Sequence, residues 1–409
     1  ERGRHRRDGA ALPAEIGVIG MLSPASGLLA LSGREQGRLV QSRQISSREL
    51  VGAHLARIAE VNPSLNAVVE VFHDRALRDA DAADTRIAQG LAKSLLDGVP
   101  FSVKDSIEIE GAVCTAGTVG FRNRPPAKRD ATLVKRLRDA GAIPIVRTNL
   151  PDLLFAFESD NLLFGRTNNP YNLDRTSGGS SGGESALIAA CGSPFGLGSD
   201  AAGSVRLPAH FCGISSLKPT SGRLVRTGHV PEAGGWLERI WQIGPMARHV
   251  EDLCAMMPIL LGGDGEDMSV VEMPYADPAS IALKAVRVAF FTDNGIATPD
   301  ADTVATVRNA ASKLEGSVRS VAKARPEGIE QSYDVEMKMI GPDGADSLRD
   351  YLKHIGSEPH HTLLEGWLRK HEPYRTDLAG FAGYWAEWDR FRTGMQRLDR
   401  KSTRLNSSH

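Results

Sequence analysis

Four short stretches hold residue types that could do chemistry together. Lys104 lies in Pro100-Phe101-Ser102-Val103-Lys104-Asp105, and Ser180 and Ser181 sit in the loop Gly178-Gly179-Ser180-Ser181-Gly182-Gly183-Glu184. Ser204 lies in Ser199-Asp200-Ala201-Ala202-Gly203-Ser204-Val205-Arg206, and Leu217-Lys218-Pro219-Thr220 reads as a short strand. Residues of these types support attack by a serine hydroxyl. A hydroxyl is a poor nucleophile until a base takes its proton, and a lysine is a base only when neutral. Burial must then depress the lysine by several units from a reference pKa of about 10.4. Singly, each stretch has a plainer reading: a glycine-serine run is ordinarily a flexible loop, and a lysine beside an aspartate a solvated pair.

Two other serine patterns compete. Gly178-Gly179-Ser180-Ser181-Gly182 matches a G-x-S-x-G elbow, which would make Ser180 the nucleophile and require a later histidine. An elbow follows a strand, whereas Asp174-Arg175-Thr176-Ser177 reads as a polar loop, and His210, His229, His249, His354, His360, His361 and His371 lie in no triad context. Ser215-Ser216-Leu217-Lys218 fits S-x-x-K, yet its period and Pro219 read as a buried strand and not as a helix start.

The elements that must position these residues alternate between β and α. Ser46 and Glu49 form a capping-box pair before a helix over 46–61, where Val51, Leu55 and Ile58 recur at helical spacing and Asn62-Pro63 ends the run. A strand over 67–71 and an alanine-rich helix stopping at Gly90 follow. Residues 99–103 read as a strand, 132–140 as a helix and 143–146 as a strand. The glycine-serine loop leads into a helix over 184–190, and 195–198 and 213–217 are apolar enough for buried strands. Residues 286–291 read as a buried strand and 302–314 as an amphipathic helix with Val304, Val307, Ala311 and Leu314 on one face; 363–370 and 384–398 are aromatic-bearing helices. There is no internal repeat and no linker long enough to separate domains, so one α/β domain is expected.

Composition narrows the function classes. The 409 residues are 41% hydrophobic and 24% charged, which is globular, and the formal net charge of −1 leaves no electrostatic footprint for nucleic acid or an anionic membrane. A small ligand is expected. Cys114, Cys191, Cys212 and Cys254 are widely spaced, without a CxxC pair or histidines at metal spacing, so neither disulfides nor zinc are suggested; all four read as buried apolar residues in a reducing, cytoplasmic setting. Residues 1–25 read as an N-terminal extension. A basic start before an uncharged run over 16–33 has the outline of a secretory signal, but Pro24, the serines and the glycines break it, and Met21 offers an alternative start. No span is long and apolar enough to cross a membrane. Residues 401–409 read as non-native adapter sequence on a reading frame cut short after a domain over 26–400.

Together and in this order, the stretches from Gly178 to Thr220 resemble the amidase signature family. Phe164-Gly165-Arg166-Thr167-Asn168-Asn169-Pro170 before them and Ala209-His210-Phe211-Cys212-Gly213 within them agree as well. The resemblance extends loosely over 31–398. It implies one domain with a twisted, mixed β-sheet sandwiched between α-helices. Position by position, it makes Ser204 the nucleophile, Ser180 the relay and Lys104 the base, with Ser180 on a cis peptide bond. It draws oxyanion donors from the backbone N–H groups of Ala201, Ala202, Gly203 and Ser204, each typically worth about 3 kcal/mol. Ala202 departs from the family's usual glycine, and an alanine fits there if φ is negative. Asp200 and Arg206 support the nucleophile's loop, Ser181 orients Ser180, and Thr148 and Asn149 lie where the family's pocket wall approaches substrate.

The resemblance further implies hydrolysis of a non-peptide carboxamide (EC 3.5.1.-) through an acyl-enzyme, with a small-molecule amide as partner and no metal or organic cofactor. The pocket is expected from 228–241 and the region after Gln331. The sequence does not fix the oligomeric state, and a homodimer is the common arrangement among soluble enzymes. Two alternatives stand: the glutaminase subunit of a tRNA-dependent amidotransferase, and a truncated, inactive member. The stretch Arg226-Thr227-Gly228-His229-Val230-Pro231 with Gly234-Gly235-Trp236 departs from that subunit, and retention of all three catalytic residues argues against decay.

Overall fold

Hydrophobic runs two layers deep demand a sheet covered on both faces, and that is the arrangement found in the computed structural model, which describes residues 27–232 and 238–402. The expected N-terminal extension over 1–25, Gly234-Gly235-Trp236 and residues 403–409 lie outside the described residues. The strands are β1 (Val68–Val71), β2 (Pro100–Lys104), β3 (Ile143–Thr148), β4 (Asn168–Asn169), β5 (Asn172–Thr176), β6 (Phe195–Asp200), β7 (Ser215–Ser216), β8 (Gln242–Ala247), β9 (Arg287–Phe290) and β10 (Ser320–Lys323). The helices are α1 (Gly27–Ala30), α2 (Gly33–Gln41), α3 (Ser47–Leu65), α4 (His73–Ala88), α5 (Thr132–Asp139), α6 (Gly182–Ala189) and α7 (Arg206–Cys212). They continue with α8 (Val250–Leu260), α9 (Ala301–Leu314), α10 (Ser332–Ile340), α11 (Asp346–His354), α12 (Thr362–His371) and α13 (Leu378–Ser402).

The central sheet has the order β1-β3-β2-β6-β8-β7. β3, β2 and β6 run parallel, while β1, β8 and β7 add antiparallel pairings at the flanks. Alternation along β2 sorts its side chains: Phe101 and Val103 enter one core with Leu133 and Leu137 of α5 and Leu253, Met256 and Leu260 of α8. The opposite face is covered by α3, α4 and α6, whose Leu50, Leu55, Ile58, Ala80 and Leu187 pack with Ile143 and Ile145. A third cluster joins Leu150, Leu153, Leu154 and Trp241 to Leu352, Leu364 and Leu368 of α11 and α12, which brings the C-terminal helices over the ends of the central strands.

The structure corrects several expectations. α3 continues through Pro63 to Leu65, because its stop is Asn66 in the left-handed region (φ 50°), with its N–H bonded to the Asn62 carbonyl at 2.8 Å. The strand expected over 213–217 shrinks to β7, and Leu217-Lys218-Pro219-Thr220 is not a strand; Leu217 gives one bond to the Pro245 carbonyl before Pro219, which has no N–H for a ladder. β9 is half-buried, not buried, since it pairs with β10 alone. Asp174, Arg175 and Thr176, read as part of a polar loop, lie in β5, which forms a two-stranded ribbon with β4. Cys114 and Cys212 are buried, but Cys191 and Cys254 are half-exposed. α13 runs two residues into the stretch expected to be an adapter tail.

Candidate active site

The site forms where β2 and β6 end beside the start of α6. On β2, Ser102 and Lys104 point toward α6, opposite to Phe101 and Val103. Lys104 is fully buried, and its Nζ donates to Ser180 Oγ at 2.7 Å and to Ser199 Oγ at 3.2 Å. Burial drives its pKa down from 10.5 to about 7, although the negative charges of Asp200 and Glu184 oppose the fall. A lysine so placed is neutral in a large fraction of molecules near neutral pH.

Ser180 follows Gly179 across a cis peptide bond, as the resemblance implied. Its loop is tied down by Ser159, whose Oγ donates to the Gly178 carbonyl at 3.1 Å and accepts from Gly182 N–H at 2.9 Å. The next amide, that of Gly183, bonds to the Asn149 carbonyl at 3.1 Å, so the first N–H groups of α6 are satisfied by its neighbours. Gly183 is required by space: a Cβ there would meet main-chain atoms of Asn149 and Ala67. The Ser181 side chain is spent on Ser199 and not on Ser180. Its Oγ donates to the Ser199 carbonyl at 3.3 Å, and its backbone N–H bonds to the Ser204 carbonyl at 3.1 Å, joining the two serine loops.

Ser204 sits between β6 and α7 on a loop organised by Asp200. The buried Asp200 carboxylate accepts from Gly203 N–H at 2.8 Å, Val205 N–H at 3.1 Å, and Arg206 Nε and Nη2 at 3.0 and 2.8 Å. Burial alone would raise Asp200, but Arg206 and the two backbone donors outweigh it and hold the carboxyl below its usual range. Gly203 has φ 124°, which suits glycine, whereas Ala202 is not among the positive-φ residues, so alanine is accommodated. Because Gly203 N–H is committed to Asp200, it is not free to serve an oxyanion. Ala201, Ala202 and Ser204 line the cavity instead.

That cavity, about 570 Å³ of empty space with its mouth included, opens onto Ser180, Ser199 and Ser204. Its walls are Leu154, Phe155, Phe157, Ile240, Trp241, Ile340 and Trp367, and no charged side chain lines it among the described residues. Phe155 and Trp367 pack with ring centroids 4.5 Å apart. The expected contributors after Gly228 and after Gln331 are thus present as Trp241, Ile340 and Trp367. Thr148 and Asn149 do not reach the cavity. Thr148 Oγ1 donates to Glu184 Oε2 at 2.6 Å, and Asn149 is consumed by Gly165, Thr167 and Asn161.

Three features escaped the sequence reading. Ser199 stood at the head of the Ser204 stretch with no part assigned, and Glu184 read as the polar start of a helix; only the fold carries both to Lys104. The apolar walls come from four separate segments with no shared pattern. One ground against the elbow reading of Ser180 fails, since β5 does precede the loop, but no histidine lines the cavity among the described residues, and the group beside Ser180 is Lys104.

Comparison with known proteins agrees with this geometry. The family model described as Amidase matches residues 49–375. Human fatty-acid amide hydrolase 2 is 33% identical over 349 residues, covering 80% of this chain and 64% of that protein. A glutamyl-tRNA(Gln) amidotransferase subunit from Anaeromyxobacter dehalogenans (strain 2CP-C) is 40% identical over 271 residues, covering 66% of this chain and 54% of that protein. The chain therefore spans between about half and two thirds of the length of these two relatives. A solved fatty acid amide hydrolase superposes with a TM-score of 0.82 at 27% identity, over 91% of this chain and 66% of that one. With the family match running over most of its length and its architecture shared with a solved member, this chain belongs to the amidase signature family.

Proposed function

We propose that the protein hydrolyses a carboxamide through an acyl-enzyme on Ser204. The observation that carries this reading is the fully buried Lys104, 2.7 Å from Ser180 Oγ, with Ser180 and Ser204 both lining one cavity. Neutral Lys104 accepts the Ser180 proton as Ser180 takes the Ser204 proton, and Ser204 Oγ bonds to the amide carbon. The oxyanion is met by N–H groups from Ala201, Ala202 and Ser204. The proton returns through Ser180 to the leaving nitrogen, the C–N bond breaks, and ammonia or an amine departs. Water then repeats the sequence and frees the carboxylate.

The cavity walls favour an uncharged aryl or alkyl amide. Glutamine, the substrate expected of an amidotransferase glutaminase, carries an ammonium and a carboxylate that would enter an apolar cavity unpaired. The 40% identity to an amidotransferase subunit keeps this as the second reading. A cytoplasmic setting fits the four free cysteines.

The test is labelling of the purified chain with a fluorophosphonate serine probe. Label is expected on Ser204, lost in Ser204→Ala and slowed about 100-fold or more in Ser180→Ala. Label on Ser180 that survives Ser204→Ala would assign the nucleophile to the glycine-serine loop and overturn the reading.

A further inference from the structure

Glu184 is a fully buried carboxyl group one helical turn after Ser180, and the fold builds a cradle for it. Ser102 Oγ donates to Oε1 and Thr148 Oγ1 to Oε2 at 2.6 Å. Both donors come from the strand face that carries Lys104: Ser102 lies two residues before it on β2, and Thr148 is its register partner on β3. At the adjoining position of β6, paired with Ser102, stands Gly196, where a Cβ would collide with Glu184 Oε1. Three strands thus give up side-chain volume or supply a hydroxyl to seat one carboxyl group. Its donors are neutral, and no ion pair to it forms among the described residues; Lys104 is the cation whose charge acts on it.

Burying a carboxyl group without a cation partner is costly, and an apolar or amide side chain would fill the same volume more cheaply. The placement makes sense if a positive charge appears nearby during turnover. We propose that Glu184 is a positioning residue for the base: its carboxylate, pinned by Ser102 and Thr148 beside Lys104, balances the positive charge that Lys104 acquires when it takes the serine proton. The proposal rests on the reading of Lys104 as the base.

Two other titratable groups act beside Lys104 or close to it. Asp200 also favours the charged lysine, and more strongly than Glu184, but its carboxylate is ion-paired with Arg206 and bonded to the Gly203 and Val205 amides of the nucleophile's loop, so it stays ionised whatever the state of Lys104. His229, from the loop after β7, gives Nδ1–H to the Pro231 carbonyl at 2.9 Å, and burial lowers its pKa to about 3, so it stays neutral. Burial raises Glu184 itself to about 7, the same range as Lys104, so the two groups titrate as a pair. Ionised Glu184 sustains the basicity of Lys104 against desolvation; without it, the lysine would be a weaker base.

The experiment compares the pH dependence of fluorophosphonate labelling in the wild type, Glu184→Gln and Glu184→Asp. In the wild type the rate rises with pH as Lys104 loses its proton. Glu184→Gln keeps the shape and one accepting oxygen, with the second hydroxyl turning to accept from the amide N–H, but removes the charge, so the limb is expected to move to lower pH by about one unit or more. The plateau rate should fall several-fold, as befits a weaker base. Glu184→Asp, which keeps the charge, should hold the limb near its wild-type position. A limb unmoved in Glu184→Gln, or displaced equally in Glu184→Asp, overturns the proposal and leaves Glu184 a packing residue. If Glu184→Gln does not melt cooperatively, Thr148→Val is read in its place: losing a donor keeps Glu184 protonated to higher pH, so its limb must also move down, and an unmoved limb there overturns the proposal. Absence of label on the folded wild type would instead remove the Lys104 reading on which the proposal depends.

Discussion

Lys104 can act as a base only because water is kept from it. In solution its amine would be protonated throughout the physiological range; fully buried, it falls to about 7. The protonated form cannot accept a proton, so labelling of Ser204 is expected to be slow below pH 7 and to reach its plateau above it, with half-maximal rate near pH 7. A profile still rising through pH 10 would mean that Lys104 keeps its solution pKa. The same shift has a consequence for stability, with its sign fixed by linkage. The folded pKa lies below the unfolded one, so the folded state binds fewer protons between about 7 and 10.5, and burial of Lys104 opposes folding increasingly as pH falls through that window. Lys104→Met should therefore gain stability relative to the wild type as pH drops from 10.5 to 7 and gain no more below it, as read from urea midpoints.

At the scale of elements, the geometry depends on how closely α6 approaches the strands. Gly183 lies against the main chain where β3 ends, and Gly196 makes room for Glu184 from β6. Backbone cannot yield as a flexible side chain can, so Gly183→Ala should push the start of α6 away from β3 and carry Ser180 with it. The expected loss is about 1–3 kcal/mol of stability, seen as a lower urea midpoint at unchanged slope, together with slowed labelling of Ser204. Normal labelling in this variant would show that α6 can shift without moving Ser180. The α6 segment itself was legible in the sequence, because glycine and serine followed by an apolar run mark a helix entering from a loop. What it packs against was not, since Asn149 and Ala67 stand far away along the chain.

At the scale of the whole molecule, the cavity is closed by segments distant in sequence: 154–157, 240–241, Ile340 on α10 and Trp367 on α12. A neutral aryl or alkyl amide should be hydrolysed with a kcat/KM at least about 100-fold above that for glutamine, because the charged groups of glutamine find no partner on these walls. Equal or better turnover of glutamine would reverse the substrate assignment in favour of the amidotransferase reading. Among the described residues no helix is long and apolar enough to cross a membrane.

Local information settled the character of this protein. The order of the Lys104, Ser180 and Ser204 stretches marked the family, the capping pair of Ser46 and Glu49 and the helical spacing of Val51, Leu55 and Ile58 placed α3, and short apolar runs placed β2 and β3, because each signal is written within a few neighbouring residues. It failed at β8, a central strand with Gly244 and Pro245 in it whose identity comes from pairing with β6, and at Pro63, tolerated within a helix that Asn66 stops. Only the tertiary structure decided that Lys104 is dry, that Glu184 lies beside it, that Gly203 N–H belongs to Asp200, and that Thr148 faces Glu184 and not a substrate. Those outcomes depend on burial and on contacts between strands far apart in sequence, and neither quantity exists until the sheet has assembled.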